Sequence, residues 1–310
     1  MATTHKKSTI VRVSWVAAAR RVVLPRLALA AVRAGFWLLE RTAPALGARW
    51  AERLWFTIPR DRRPGRRLPD GERFQVPVEG GWSVTGWSWG DGDPVYLVHG
   101  WGGSAGQLGA LVEPLVRAGY RAVAFDAPSH GASPPGPSGP RSSTILEFAA
   151  ALRAVAGVHG PAHAVVGHSL GCAATAVAMR DGLAVARVVF VAPLVDVTPY
   201  THGFAARFGF GERVRARMVA RFERRFGMPL SAFDLTAAAA RQPTAPLLVA
   251  HDRDDRETRW ADSRALARAW PEARLLTTTG LGHRRILADP QVVAEVVRFV
   301  AGEGAEHLAS

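Results

Sequence analysis

Ser169 stands inside Gly167-His168-Ser169-Leu170-Gly171, the setting in this chain best suited to covalent chemistry. The apolar run Ala162–Val166 precedes it and the small-residue stretch Cys172–Ala178 follows, which predicts strand, sharp turn and helix with the serine at the corner. Such a corner residue is held in a backbone conformation costing about 1–3 kcal/mol. Glycines two places before and after it leave out the side chains that would collide across the bend. The hydroxyl would then stand at the carboxyl end of a strand, open to a substrate. A tight structural turn is the plainer reading of the same five residues.

A serine hydroxyl is a weak nucleophile at neutral pH and needs a base, with a third group to orient that base. Both types follow downstream. Pro246–His251 reads as a buried strand running into Asp252-Arg253-Asp254-Asp255-Arg256, and Arg274–Thr279 reads as the last strand, ending in Gly280-Leu281-Gly282-His283. Groups at the carboxyl ends of parallel strands share one edge of the sheet. The intervals of 86 residues from Ser169 to Asp255 and 28 from there to His283 leave room for the intervening helices.

Ten histidines compete for the role of base. His5, His159, His202 and His307 lie in polar or terminal stretches and are expected in solvent. His163 and His251 fall in strands and read as structural. His99 and His130 are placed to hold loops, and His168 to pack beside the serine. His283 alone combines the right sheet edge, a glycine setting and a position after the acid. Asp255 is the favoured acid, with Asp252 and Asp254 as rivals and Asp196 as a distant one; a solvated, salt-bridged loop is the plainer reading of 252–256.

Attack on a carbonyl makes an oxyanion that preorganised N–H groups must stabilise. The backbone amide of Leu170 opens a helix, where the dipole favours negative charge. A second amide, that of Trp101, lies in the loop His99-Gly100-Trp101-Gly102-Gly103 after the strand Val95–Val98. The loop lacks the spacing of a phosphate-binding motif, so nucleotide binding is a weak rival.

Together with Phe125-Asp126-Ala127-Pro128-Ser129-His130-Gly131, these motifs resemble the α/β-hydrolase superfamily, in its serine-nucleophile, esterase- and lipase-like branch, over residues 73–303. The resemblance implies a doubly wound, mostly parallel α/β sheet, and a serine hydrolase acting on a carboxylic ester or thioester without cofactor or metal. It implies Ser169 as nucleophile, His283 as base, Asp255 as acid, and the Trp101 and Leu170 amides as oxyanion donors. Asp255 inherits its role through His251-Asp252-Arg253-Asp254-Asp255, where the family commonly has His-Gly-x-x-Asp. The Val-Pro pair that often follows the family's acid is here Thr258-Arg259. Serine at the corner disfavours the branches with an aspartate nucleophile. Acyl transfer or peracid formation by the same serine, and a non-catalytic binding protein on the same scaffold, are the alternatives.

The elements that must position these residues can be read in order. Residues 74–78 and 82–89 predict an antiparallel hairpin; strands near 95–98, 121–126, 162–166, 187–192, 246–250 and 274–279 alternate with helical stretches. The hydrolase domain is expected over 71–305. Residues 196–243 exceed a simple crossover and predict a small helical cap. Val214, Met218, Phe222 and Phe226 form one apolar stripe there, Phe204 and Phe208 another, and Gly209 and Gly211 mark the break between them. A plain crossover helix is the alternative.

Net charge is +13, of which residues 1–70 hold fifteen Lys/Arg against four Asp/Glu. That segment reads as a basic helical extension, Val11 to Trp55, broken at Pro25 and Pro44, with a linker over 61–71. Arg26, Arg33 and Arg41 fall within about 80° on a helical wheel. The pattern suits a helix lying on an anionic membrane surface, one packed on the core, or a self-association arm. Arginines inside the one apolar window, 22–39, argue against a spanning helix, and Arg33 argues against an export signal despite Arg20-Arg21. A cytoplasmic protein, in peripheral contact with the membrane at most, is the expectation. Thirty-seven arginines against two lysines suggest a compositional bias rather than nucleic-acid binding. One cysteine, Cys172, excludes an intramolecular disulfide and reads as a packing residue.

Overall fold

Strands apolar on both faces must be covered on both, which parallel strands joined by crossover helices achieve. The computed structural model follows that rule; it describes residues 15–59, 68–239 and 245–303, with side chains from Leu27 onward. Helices α1 (Trp15–Thr42) and α2 (Pro44–Trp55) come first. Then β1 (Glu72–Val78) and β2 (Trp82–Trp89) make the expected hairpin. The alternation runs β3 (Pro94–Val98), α3 (Gly109–Arg117), β4 (Arg121–Phe125), α4 (Ile145–His159), β5 (Ala162–His168), α5 (Leu170–Arg180) and β6 (Val185–Val191). After β6 come α6 (Thr198–Phe208), α7 (Glu212–Phe226) and the short α8 (Leu235–Ala239). The chain closes with β7 (Leu247–Asp252), α9 (Trp260–Ala269), β8 (Ala273–Thr278), α10 (Gly282–Arg285) and α11 (Pro290–Val300).

The strands form one sheet in the order β1-β2-β4-β3-β5-β6-β7-β8. β1 and β2 are antiparallel to their neighbours and β3 to β8 run parallel. Successive side chains of a strand face opposite ways, and the core divides accordingly. Val189, Val191, Leu248 and Ala250 pack with Leu111 and Leu115 of α3 and Val296 and Val300 of α11. Val188, Phe190, Leu247 and Val249 pack with Cys172 and Ala176 of α5, Leu235 of α8 and Trp270. At about 1.5–3 kcal/mol for each fully buried Val, Leu or Phe, these two layers fix where the strand ends stand.

The chain divides into two compact units: residues up to Glu52 with Thr201–Arg221, and the remainder. In the first, Phe36 stacks on Trp50 with ring centroids 4.3 Å apart and meets Phe210 at 4.8 Å. Arg33 donates to the carbonyls of Ala206 and Arg207 at the end of α6. The Glu40 carboxylate accepts from the amides of Gly211, Arg213 and Val214 at 3.0–3.1 Å, which places negative charge where the dipole of α7 favours it.

The break expected at Pro25 does not occur, since α1 continues through it to Thr42. An internal proline costs about 3 kcal/mol through one missing hydrogen bond and a ring clash, a local loss in a helix of 28 residues. Pro44 instead opens α2, a position where its missing N–H leaves no bond unmade. No helix among the described residues is long and apolar enough to cross a membrane. Residues 61–67 of the expected linker, 240–243 of the insertion, 11–14 of the expected helical extension, and His5 and His307 lie outside the described residues.

Candidate active site

β5 ends at His168 and α5 starts at Leu170, so Ser169 makes the turn alone, at φ +53° and ψ −117°. Few non-glycine residues hold that conformation unless the surroundings enforce it. Here the Ser169 amide donates to the Val191 carbonyl at 3.0 Å, and its own carbonyl accepts from Cys172 and Leu194 at 3.1 Å. The flanking glycines are steric requirements. A Cβ on Gly171 would stand 2.4 Å from the Val98 carbonyl oxygen, and one on Gly167 2.9 Å from the Cys172 nitrogen. Ser169 itself is half-buried.

Asp255 and His283 meet directly: Oδ2 accepts from Nδ1 at 2.7 Å, with the acid fully buried. Because Nδ1 donates to a carboxylate, the lone pair of His283 lies on Nε2. Asp252 and Asp254 bind elsewhere. Asp252 accepts from the Thr278 hydroxyl at 2.7 Å and the Leu281 amide at 3.0 Å, and Asp254 accepts from the Gly280 amide at 2.8 Å. Both carboxylates therefore pin the loop that delivers His283. Asp196 accepts from the Thr198 amide.

Ser169 and His283 are linked through His168, whose Nε2–H donates to the His283 carbonyl at 3.0 Å and whose ring lies 4.7 Å from the His283 ring. Among the described residues Ser169 Oγ makes no hydrogen bond, to His283 or to any other group.

The glycine loop after β3 approaches the same corner: a Cβ on Gly100 would lie 3.0 Å from Ser169 Cβ. Two buried histidines fix the loop, as expected. His99 donates from Nδ1 to the Gly100 carbonyl and accepts the Ala127 amide at Nε2, and His130 accepts the Gly102 amide at 3.1 Å. No loop, turn or side-chain hydrogen bond among the described residues uses the Trp101 or Leu170 amide. Burial lowers the pKa of His99 to about 4 and of His130 and His168 to about 3. Cys172 is buried, and burial pushes its thiol well up. His159, expected in solvent, instead packs on Phe74 with ring centroids 4.2 Å apart, because the hairpin strand β1 lies over the end of α4. Among the described residues no cluster of His, Cys, Asp or Glu could hold a metal ion.

Sequence reasoning missed three residues. His251, read as structural, donates from Nε2 to Asp255 Oδ2 at 3.2 Å, while its Nδ1 accepts from Ser263 Oγ at 2.6 Å. Thr258 donates to Asp255 Oδ2 at 2.9 Å through its hydroxyl and to Oδ1 at 3.1 Å through its amide. Glu257, half exposed, places a carboxylate oxygen 3.8 Å from His283 Nε2. Burial alone would raise the Asp255 pKa; the donors from His251 and His283 outweigh it and hold the carboxyl well below the usual range. The one signal for these contacts was Thr258, a hydroxyl where the family pattern has an apolar residue.

Residues 95–296 match the model of the alpha/beta hydrolase family. Over 100 residues the chain is 35% identical to a serine hydrolase-like protein of Danio rerio, a match covering 32% of this chain and 30% of that protein's length. Among solved structures, an esterase from Pyrococcus furiosus aligns with a TM-score of 0.60 at 16% identity, covering 79% of this chain and 97% of the other. A bromoperoxidase from Bacillus anthracis aligns at 0.57 and 16%, covering 75% and 100%. A monoacylglycerol lipase from Paleococcus ferrophilus aligns at 0.54 and 20%, covering 71% and 99%. At these identities the structural likeness is one of fold.

Proposed function

The chain belongs to the alpha/beta hydrolase family, and from that premise we propose that it is a serine hydrolase cleaving a carboxylic ester or thioester through an acyl-serine intermediate. Ser169 Oγ attacks the carbonyl carbon as His283 Nε2 takes its proton. The Trp101 and Leu170 amides receive the developing oxyanion. His283 then returns the proton to the leaving alcohol or thiol as the tetrahedral intermediate collapses, and water repeats the sequence to release the acid. Asp255 keeps the imidazole in the tautomer that can accept.

The observation that carries this reading is the 2.7 Å bond between Asp255 and His283, beside a serine held at φ +53°. A hydrogen bond from Nδ1 to a carboxylate leaves the lone pair of His283 on Nε2, as a general base needs, and a strained serine is an expensive way to make an ordinary turn. Family membership and the esterase and lipase neighbours support hydrolase activity, and the names of those neighbours fit an ester substrate.

Ser169→Ala tests the nucleophile. It is expected to reduce turnover of short p-nitrophenyl esters to background and to abolish labelling by a fluorophosphonate, with the circular dichroism spectrum unchanged. Labelling that persists in the variant would reject Ser169.

A further inference from the structure

Helix α1 is apolar on two faces, and its own unit buries one. Phe36, fully buried, marks the inner face. At 100° per residue, Leu27, Ala31, Ala34 and Leu38 fall within about 60° of one another on the side opposite Phe36. All four are exposed, Leu27 by 61% and Leu38 by 53%. Trp37, 55% exposed, borders this strip, and the Arg41 guanidinium lies 3.9 Å over its ring. Leu46, early in α2, is exposed by 54%. Single exposed apolar side chains are ordinary. Yet four of the five large exposed hydrophobics among the described residues fall between positions 27 and 46.

Charge indicates what covers this strip. Residues 1–52 and 201–221 together carry fourteen Lys/Arg against three Glu, a net +11. The three acids have internal work: Glu40 holds the amides at the start of α7, Glu52 pairs with Arg221, and Glu212 pairs with Arg215. A second copy would bring the same positive charge against itself. A polyanionic surface complements it.

We propose that the Leu27–Leu38 face of α1 docks on an anionic lipid bilayer. The helix lies in the plane of the interface, with Leu27, Leu38 and Trp37 entering the boundary between headgroups and acyl chains and Arg41 reaching the phosphates. The indole–guanidinium pair suits that boundary, where an amphipathic ring and a snorkelling cation are both favoured. The docking stands apart from the hydrolase reading and needs none of its residues.

Flotation of the full chain with vesicles of phosphatidylcholine, alone or mixed with phosphatidylglycerol, tests it. The chain is expected to float with the mixed vesicles, less so in high salt, and to stay behind with phosphatidylcholine alone. The double variant L27E/L38E replaces exposed side chains only, and circular dichroism checks that it folds. It is expected to lose at least about tenfold in the vesicle-bound fraction, since burying one leucine is worth roughly a factor of ten. Flotation unchanged in the variant overturns the proposal, because the apolar strip would then take no part. Absence of flotation with mixed vesicles overturns it equally, and a dimer in sedimentation that L27E/L38E dissolves would give the strip to a second copy.

Discussion

The Asp255 carboxylate carries more donors than orienting one imidazole requires. Oδ2 receives His283, Thr258 and His251, and Oδ1 receives the amides of Glu257 at 2.7 Å and Thr258. This shell keeps a fully buried carboxylate ionised, the state in which it holds the proton on His283 Nδ1. Asp255→Asn preserves shape and removes that preference. It is expected to lower kcat toward a p-nitrophenyl ester by about 10³–10⁴-fold with little change in KM, whereas Asp254→Asn, which loosens one loop amide, is expected to cost far less. Equal losses in steady-state assays would dissolve the distinction. Thr258→Val tests the shell itself: removing one hydrogen bond to a buried charge is expected to cost about 1.5–3 kcal/mol of stability in urea denaturation, and Thr258→Ser to recover most of it. Ser169, Asp255 and His283 left traces in the sequence because glycine-flanked turns and strand-end acids are local patterns. The contact of His251 left none, because whether the last side chains of β7 reach the following loop depends on how that loop folds back.

At the scale of elements, the sheet was legible wherever a short apolar run lay between turn residues, and every strand begins within two residues of the position expected from the pattern. The hairpin and the helix break after Phe208 were legible for the same reason. The passage of α1 through Pro25 was not, since a proline states a local cost and not the length of helix that absorbs it. Glycines show how far local chemistry dictates the rest. At Gly171 a methyl group would meet the Val98 and His99 carbonyl oxygens at 2.4 and 2.7 Å, both backbone atoms of β3 and the loop behind it. Gly171→Ala is therefore expected to destabilise the fold by about 1–3 kcal/mol. Gly157, exposed in α4, leaves a methyl group with nothing within 4 Å beyond its own stretch of helix backbone, and Gly157→Ala is expected to stabilise by about 0.5–1 kcal/mol. Urea midpoints of the two variants should move in opposite directions. A shift of the same sign would mean that neither local environment decides the outcome.

Across the whole sheet domain, the same histidines that position the loops make the fold sensitive to acid. His99 and His130 each accept a backbone amide on one ring nitrogen while donating from the other, so neither can take a second proton without losing a bond. His168 is as deeply buried. Burial lowers all three, to about 4, 3 and 3 respectively, against about 6.5 for a solvated imidazole. With the native pKa below the unfolded one, their contribution is complete above about pH 6.5 and is lost as pH falls, because the unfolded chain then binds protons the native chain refuses. Near pH 5 three such groups give a slope of about 4 kcal/mol per pH unit, which is large against a typical total of about 5–15 kcal/mol. Asp255 adds a further loss below about pH 4, where the unfolded chain protonates a carboxyl that the folded chain keeps ionised. Urea midpoints measured from pH 7 to pH 5 are expected to fall steeply, and a flat profile would show that these rings protonate within the fold. His99 and His130 accept the Ala127 and Gly102 amides that hold the loop carrying Trp101, so protonating either ring breaks a bond in the segment that presents that amide.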